Sequence, residues 1–570
     1  MDAALQKRIK RQVIGKQHRF LAVAPLGFEQ TLIKELEFIS EETRDERREN
    51  DCRHPELRKG SSAKTAVYNA SIEQGSNRPH VTGDGKVEFT AKITEAWKIV
   101  AFSRIANRVL MEVANFKAEN FRELEKKASE IPWELYLEER RETTTMQGER
   151  RGQRSWAWPS RMVGTRAKRL SKDERISNDV ILSEAHQAKS KNPVNSAVHQ
   201  TIIHVTCKHS RLYHSDAIAE RLHKIIDGGS LPLAPSRREN GPSVLQTRDE
   251  RKSTEAASRL DYATPSPKGS APKTPPQNLY VTLIDDRCTI WLDLAGEELY
   301  KRGHERFVND APLKETIAAA MLFEAFDATA QATNNVTPDP VPGPPYTLLD
   351  LMSGSGTFSL ETAYIANKLV PGVCRDFALK HQPAFKEATW NFITRSVTLS
   401  ETKGPVKFCK AFATIKKILT SDISERAVNI IKHNIESSPL ANITPEPINP
   451  QLRDFFTYTT KEIADACGDS SPILVLNPPY GKRLDFDAPK LYTKIGKKLT
   501  ELANGLAAFN KRLTVAILAP KDDTRDGGKY TCTTNLLREC PAISPEHNPA
   551  VKIIETSHGG ISLDAIIATV

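Results

Sequence analysis

The sequence TLLDLMSGSGTFSLE, residues 347–361, decides the fold of the C-terminal part of the chain. Its apolar start predicts a buried strand, its two glycines predict a tight turn, and the residues that follow predict a helix. Glycines in such a turn let the backbone approach a ligand closely, and the first turn of a helix offers free N–H groups. A dinucleotide-binding turn would need the third glycine of G-x-G-x-x-G, and a P-loop would need a lysine; the stretch has neither. It therefore predicts a ligand-binding corner that does not hold a pyrophosphate.

The spacing D-x-x-x-G-S-G-T that begins at Asp350 is used by enzymes that bind S-adenosylmethionine (AdoMet), in which the turn holds the methionine part of the ligand. A plain strand–helix corner is the alternative. Apolar strands and helices alternate from Tyr346 onward. This pattern predicts an α/β domain with a mostly parallel sheet over residues 346–570.

Two further carboxylates follow predicted strands of this domain. Asp422 ends the strand KILTSD, where a carboxylate can accept both ribose hydroxyls of an adenosine. The alternative is that this position caps a helix that runs to Asn434. Asp350 and Asp422 are 72 residues apart instead of about 20, so an insertion must lie between them. Asp454 is placed to meet the adenine amino group, with Phe455 as a neighbouring apolar contact.

The segment ILVLNPPYGKRL, residues 473–484, predicts a buried strand that ends in the motif NPPY, at the end of the sheet where ligand sites form. The exocyclic amine of a nucleobase is a poor nucleophile, because its lone pair is delocalised into the ring. Hydrogen bonds from this amine to the Asn477 side-chain oxygen and the Pro478 carbonyl would make the lone pair available. Pro479 stiffens the loop, and Tyr480 can stack on a flipped base.

The NPPY segment therefore predicts methylation of an exocyclic amine by orientation and electrostatics, without a strong general base. Ordinary turn chemistry of the two prolines is the alternative.

The first 345 residues have a different organisation. Residues 15–120 have the pattern of a small α+β domain with a polar insertion over 41–80, and residues 121–297 carry further insertions over 140–200 and 231–277. Their polar composition predicts that these insertions are disordered. Residues 298–345 predict a helical connector.

One insertion is strongly basic. Residues 140–175 hold eleven Lys and Arg against four Asp and Glu, with Trp156 and Trp158 among them. This combination fits an RNA-binding loop, and it fits a solvated insertion equally well.

Composition narrows the class of protein. The chain has 570 residues, which is too long for one core, and its 81 Lys and Arg exceed its 71 Asp and Glu, which favours a polyanionic partner. No run approaches the roughly 18 apolar residues of a membrane helix, so no membrane partner is expected. The eight cysteines form no C-x-x-C pair, so we expect neither a metal site nor disulfides, and a reduced, cytoplasmic protein.

With the GSGT turn and NPPY in this order, the chain resembles amino-methyltransferases that act on nucleic acid bases. LYKRGH, residues 299–304, and APLKET, residues 311–316, are similar to the connector of THUMP-domain methyltransferases that make N2-methylguanosine in large-subunit ribosomal RNA. Residues 376–390 resemble the insert that these enzymes carry, and IETSHGGI, residues 554–561, resembles their terminal hairpin. Residues 20–39 and 110–137 are similar to their ferredoxin-like and THUMP portions.

The resemblance implies an AdoMet-dependent RNA guanine-N2 methyltransferase. It implies a ferredoxin-like domain over 15–120, a THUMP domain over 121–297 that grips RNA, the connector, and a Rossmann-like domain with a seven-stranded sheet. The implied catalytic residues are Asn477, Pro478, Pro479 and Tyr480. The implied cofactor-binding residues are Asp350, Met352, Ser353, Gly354, Ser355, Gly356, Thr357, Asp422, Ile423, Asp454 and Phe455.

The chain departs from the family pattern in two ways. Leu351 and Ser353 stand where the family has Pro and Cys, which is tolerable beside a contact made by the backbone. Some relatives carry a second methyltransferase module, and because none follows here we expect a single activity.

Three alternatives to a large-subunit ribosomal RNA methyltransferase stay open. A transfer RNA guanine-N2 methyltransferase would have a similar build. A DNA adenine-N6 or cytosine-N4 methyltransferase also uses NPPY, but it would need a region that recognises DNA. A catalytically silent RNA-binding assembly factor would have little reason to keep both Asp422 and Asn477.

Overall fold

The computed structural model of the protein describes residues 2–40, 78–138, 201–227, 275–308, 312–334, 345–372, 374–399, 415–480, 487–522 and 531–570. The predicted insertions over 41–80, 140–200 and 231–277 therefore fall almost entirely outside the described residues, as do Trp156 and Trp158. Within the described part of the chain, no helix is long and apolar enough to cross a membrane.

The N-terminal half forms one seven-stranded sheet, whose strand order is β2-β3-β1-β4-β7-β6-β5. Antiparallel pairing of β4 with β7 joins the strands of the first predicted domain to those of the second. The division of these residues into two domains stays a prediction. The strands are β1 (Gln17–Val23), β2 (His80–Gly83), β3 (Lys86–Lys92), β4 (Arg108–Lys117), β5 (Thr201–Lys208), β6 (Gln277–Ile284) and β7 (Arg287–Asp293).

The helices of this half contribute to one apolar core with the sheet. Phe20 and Val109 of the strands belong to the same buried cluster as Leu32, Trp97 and Leu222 of the helices. The other face carries a small separate cluster around Trp291. The helices are α1 (Ala3–Ile9), α2 (29–40), α3 (Ile93–Phe102), α4 (Phe121–Ser129) and α5 (Ser215–Ile226).

The C-terminal half forms a second seven-stranded sheet, with the order β10-β9-β8-β11-β12-β14-β13. The first four pairings are parallel and the last two are antiparallel. The predicted α/β fold with a mostly parallel sheet is therefore confirmed. The strands are β8 (Tyr346–Asp350), β9 (Ile415–Asp422), β10 (Asn449–Leu452), β11 (Ser471–Leu476), β12 (Thr514–Pro520), β13 (Lys552–His558) and β14 (Ile561–Thr569).

Helices cover both faces of this sheet. All five residues of β8 are buried, and Leu348 packs in one core cluster while Leu349 packs in another. Burial on both faces is the reason that the strand does not alternate between apolar and polar residues. The helices of this half are α6 (Glu315–Asn334), α7 (Thr357–Ala366), α8 (Glu387–Leu399), α9 (Glu425–Glu436), α10 (Thr460–Cys467), α11 (Ala488–Ala507) and α12 (Cys532–Glu539).

The predicted insertion between Asp350 and Asp422 is confirmed, since α7 and α8 both lie between β8 and β9. The part that contains α8 packs against the N-terminal half. The ring centroids of Phe385 and Trp97 are 5.7 Å apart, and those of Phe377 and Trp390 are 5.6 Å apart.

A buried ionic cluster joins the two halves through the connector. Glu361 of α7 is 1% exposed, and its carboxylate accepts hydrogen bonds from Arg302 Nε at 2.9 Å and Arg302 Nη2 at 3.2 Å. Arg104, which follows α3, donates to the same carboxylate at 3.4 Å and to the Leu369 carbonyl at 2.5 Å. Three distant segments of sequence therefore meet at one carboxylate.

Replacing Glu361 should destabilise the whole chain. We expect Glu361→Gln to lower the free energy of unfolding by about 3–5 kcal/mol, because Arg302 would stay buried without its counter-charge. Urea denaturation followed by tryptophan fluorescence measures the change. The control is Glu220→Gln, whose partner Lys224 is an exposed i,i+4 neighbour and whose loss should leave the unfolding midpoint unchanged. Equal midpoints for the two variants would contradict the prediction.

Protonation of His304 should also oppose folding. His304 packs beside Tyr364, and burial, with the nearby Arg306 charge, lowers the pKa of His304 to about 4. An unfolded histidine titrates near pH 6.5, so this contribution to stability is complete above about pH 6.5 and is lost as the pH falls toward 4. His304→Asn should flatten the loss of stability in this window by up to about 1.4 kcal/mol per pH unit. The matched change His547→Asn, at an exposed position, should leave the slope as it is in the natural chain.

Candidate functional site

Three loops that the sequence singled out leave neighbouring strands at one edge of the second sheet. Strand β8 lies between β9 and β11, and Asp350 at its end pairs with Thr420 of β9 and with Val475 of β11. The parallel direction brings the glycine turn, the segment after Asp422 and the NPPY loop to the same edge. This is the edge at which open α/β sheets bind ligands.

The glycine turn requires glycine at two positions, for different reasons. Gly354 has φ of +55°, and no atom lies within 4 Å of the place where a Cβ would stand. Gly356 has φ of +77°, and a Cβ there would meet Ile431 Cγ1 at 2.9 Å. The first glycine therefore leaves open space beside the backbone, and the second allows α9 to approach closely.

Hydrogen bonds attach the turn to β9. The backbone N–H of Gly354 donates to Asp422 Oδ2 at 2.8 Å, and the Ser353 hydroxyl donates to the Ser421 carbonyl at 2.9 Å. The other Asp422 oxygen accepts from Ser424 N at 2.9 Å. The N-cap of α9 is Ser424, whose side chain accepts from Ala427 N, so Asp422 is not the cap. Its half-buried carboxylate lies directly beside the turn.

Asp350 faces the interior. It is 1% exposed, and its Oδ2 accepts from Ser359 N at 3.1 Å and from Ser359 Oγ at 2.6 Å. Its Oδ1 is buried without a partner among the described residues. Burial raises the pKa of Asp350 to about 7. Asp350 therefore fixes α7 against β8, and its role in holding a cofactor stays a prediction.

The adenosine side of the predicted site has one exposed and one buried apolar residue. Ile423 is 70% exposed, whereas Phe455 is 2% exposed and packs in the core. Asp454 is half-buried, and its Oδ1 accepts from Phe456 N at 3.0 Å. Leu452 pairs with Asp422 across β10 and β9, which brings the Asp454 segment to the same edge of the sheet. The contact of Phe455 with a cofactor stays a prediction.

The NPPY loop holds an acceptor without a partner. Asn477 follows β11, and its Oδ1 is buried with no hydrogen-bond donor in the described part of the chain. Pro478 is buried and Pro479 is exposed. An unpaired buried carbonyl oxygen is costly, so a ligand with an N–H group would complete this site.

The side chain of Tyr480, predicted to stack on a base, is buried. It is 8% exposed, and its hydroxyl lies 3.4 Å from Nδ1 of His558, at the end of β13. Burial lowers the pKa of His558 to about 4, so the imidazole is neutral at neutral pH. Stacking of Tyr480 on a base stays a prediction. The sequence indicated the terminal hairpin, but not this contact.

One site residue was missed entirely. Arg306, two residues beyond the LYKRGH segment, forms an ion pair with Glu315 and donates to Thr357 Oγ1 at 2.6 Å and Ser355 Oγ at 3.4 Å. Ser355 and Thr357 are buried, and Met352 is half-buried.

The described residues contain no group of three or more His, Cys, Asp or Glu side chains that could hold a metal ion.

Residues 302–526 match the family model of the RMKL-like methyltransferase domain, UPF0020. Among curated proteins, the ribosomal RNA large subunit methyltransferase K/L of Allochromatium vinosum is 25% identical over 423 residues, which are 73% of this chain and 42% of the relative. The protein of the same name from Alteromonas mediterranea is 29% identical over 46% of this chain and 34% of its own length. The chain thus spans well under half the length of these relatives.

Two solved structures share the fold over nearly the whole chain. A possible methylase from Clostridium difficile 630 has a TM-score of 0.52 at 18% identity, with 97% of this chain and 98% of that chain covered. SMU.472, complexed with SAH, has a TM-score of 0.53 at 18% identity with the same coverage. The glycine turn and the NPPY loop both lie within residues 302–526, the part of the chain that matches the RMKL-like methyltransferase domain.

Proposed function

We propose that the protein is an AdoMet-dependent RNA methyltransferase that transfers a methyl group to the exocyclic N2 amine of a guanosine in large-subunit ribosomal RNA. The observation that carries the proposal is the buried Oδ1 of Asn477, which has no hydrogen-bond donor among the described residues and lies next to the strand that ends in the glycine turn. The name shared by the curated relatives supports ribosomal RNA as the substrate.

The turn and its neighbours suit AdoMet as the cofactor. Open space beside Gly354 admits the methionine part, and the Asp422 carboxylate at the end of β9 can turn from its local N–H partners to the ribose hydroxyls. The exposed Ile423 side chain and the Asp454 segment lie at the same edge for the adenine ring. When bound, AdoMet supplies the methyl group as a sulfonium electrophile.

The chain's own contribution to the reaction is to hold the acceptor amine. Asn477 Oδ1 would accept a hydrogen bond from one amine N–H, and the Pro478 carbonyl would accept from the other. These contacts draw the nitrogen lone pair out of conjugation and aim it at the methyl donor. As the N–CH3 bond forms, the S–CH3 bond of the donor breaks and the amine nitrogen becomes positively charged, so nearby oxygen dipoles stabilise the transition state. The extra proton then leaves the nitrogen to water, and no strong base is needed.

The N-terminal half would bind and position the RNA. The net charge of +10 favours a polyanionic partner, and the basic stretch over 140–175 lies outside the described residues. A THUMP domain over 121–297, a ferredoxin-like domain over 15–120 and a cytoplasmic location belong to the same proposal. Mass-spectrometric mapping of modified guanosines in ribosomal and transfer RNA, with and without the gene, tests the choice of substrate.

Removal of the Asn477 amide should stop methyl transfer and spare cofactor binding. We expect Asn477→Ala to lower kcat by about 10²–10³-fold, the usual cost of losing one preorganised polar contact to the reacting group. AdoMet affinity, measured by calorimetry, should stay close to that of the natural chain, because Asn477 contacts only the acceptor. Asn429→Ala, at an exposed position on α9, is the matched control and should keep full turnover. Unchanged turnover in Asn477→Ala would remove the main support for the proposal.

Removal of the Asp422 carboxylate should stop cofactor binding and spare RNA binding. Asp422→Ala should abolish ultraviolet crosslinking of labelled AdoMet and leave RNA binding intact, because the ribose hydroxyls and the Gly354 N–H both lose their acceptor. The matched control is Asp465→Ala, an exposed aspartate on α10. Full crosslinking in Asp422→Ala would place the cofactor elsewhere.

A further inference from the structure

Arg306 has an unusual position for a charged side chain. It lies in the connector between β7 and α6, and its side chain is only 12% exposed. Its guanidinium forms an ion pair with Glu315 at the start of α6, and its Nε is buried without a partner among the described residues. Burial lowers the pKa of Arg306 to about 10, so the group still carries its charge at neutral pH. One donor of this arginine is therefore not used within the described part of the chain.

Arg306 contacts two side chains of the glycine turn. Ser353 and Gly354 are attached to β9, as described above, and the Gly356 N-cap of α7 has no side chain to cap the helix. The remaining side chains of the turn, Ser355 and Thr357, are held by Arg306 from the connector. Thr357 Oγ1 also donates to the Leu313 carbonyl at 3.5 Å, and Asn434 Nδ2 of α9 donates to the Ser355 carbonyl at 3.2 Å. Arg306 is the residue that contacts the side-chain oxygens of both Ser355 and Thr357.

We infer that Arg306 is a positioning residue for the methyl donor, which holds Ser355 and Thr357 so that the N–H groups of the turn keep the orientation that the donor needs. Arg306 acts through these two residues and does not contact the reacting atoms. The inference rests on the proposed function, because the ligand of the turn is taken to be AdoMet. It adds a residue from outside the strand–turn–helix unit to the cofactor site.

Arg375, a half-buried arginine of the same region, provides a control that distinguishes positioning of the turn from structural support of the connector. Arg375 donates to the carbonyls of Glu298 and Lys301, each at 2.9 Å, and of Glu297 at 2.8 Å. No contact links it to Ser355 or Thr357 within the described residues. Arg375 therefore stabilises the connector as Arg306 does, but it lacks the contacts with the glycine turn.

The test is calorimetric titration of AdoMet into the full-length chain and its variants, with thermal unfolding of each. We expect Arg306→Met to weaken AdoMet binding by about tenfold, which corresponds to about 1.4 kcal/mol, and Arg306→Lys to weaken it less. Arg375→Met should lower the unfolding temperature while it leaves the Kd for AdoMet within about twofold. An unchanged Kd in Arg306→Met, or an equal loss in Arg375→Met, would overturn the inference.

Single changes at Thr357 give a readout that does not depend on the stability of Arg306→Met, and a double-variant cycle links them to Arg306. Thr357→Val removes the hydroxyl that accepts from Arg306 and should weaken AdoMet binding, while Thr357→Ser keeps the hydroxyl and should weaken it less. Combining Arg306→Met with Thr357→Val should cost no more affinity than the worse single change. Additive losses, or equal binding by the two Thr357 variants, would overturn the inference.

AdoMet binding by the natural chain distinguishes a failure of this inference from a failure of the proposed function. If it does not bind AdoMet at all, the proposed function and the inference both fail. If it binds AdoMet and the Arg306 variants bind equally well, only the role of Arg306 fails.

Discussion

The carboxylate of Glu361 binds arginines from two other parts of the chain, and almost none of it is exposed to solvent. A buried carboxylate is tolerated only where cations and donors surround it, so Arg302 and Arg104 cannot move away independently. Arg104 belongs to the N-terminal half, Arg302 to the connector and Glu361 to the helix that follows the glycine turn. This cluster consequently fixes the relative positions of the two sheets and of the turn.

The order of strands in the second sheet imposes the next constraint. Because β8 lies between β9 and β11 and all three are parallel, the residues after Asp350, Asp422 and Leu476 must emerge side by side. The glycine turn is then the middle of three neighbouring loops. Under the proposed function, the methyl donor and the acceptor amine meet at these loops, because two adjacent strand ends supply one loop for each of them.

Much of this could be predicted from local sequence. The buried β8, the glycine turn and the strand before NPPY are each specified by residues that are contiguous in the chain, and the structure has them at those positions. The insertion between β8 and β9 was predicted from spacing alone. Each of these features depends on local conformational preference, burial or chain length, which a single sequence records.

The features that could not be predicted from the sequence depend on contacts between residues that are far apart in the chain. Arg306 reads as one more charged residue of a polar segment until Thr357, 51 positions later, is seen to accept from it. The contact between Tyr480 and His558 spans 78 positions. The enclosed positions of Tyr480 and Phe455 have the same origin, because an aromatic residue after a strand can face either a cleft or a core and only the surrounding elements decide which.

Arg302 and Arg306 are four positions apart in one connector loop, and they contact different targets. Arg302 binds the cluster that joins the two halves, while Arg306 binds the turn itself. A second set of contacts also joins the two halves. Glu324 of α6 accepts from Thr31 of α2 and from Lys552 of β13, each at 2.6 Å. The connector therefore contacts both the cluster that joins the two halves and the glycine turn, and a methyltransferase domain cut at Tyr346 would lack the contacts that Arg306 makes with Ser355 and Thr357.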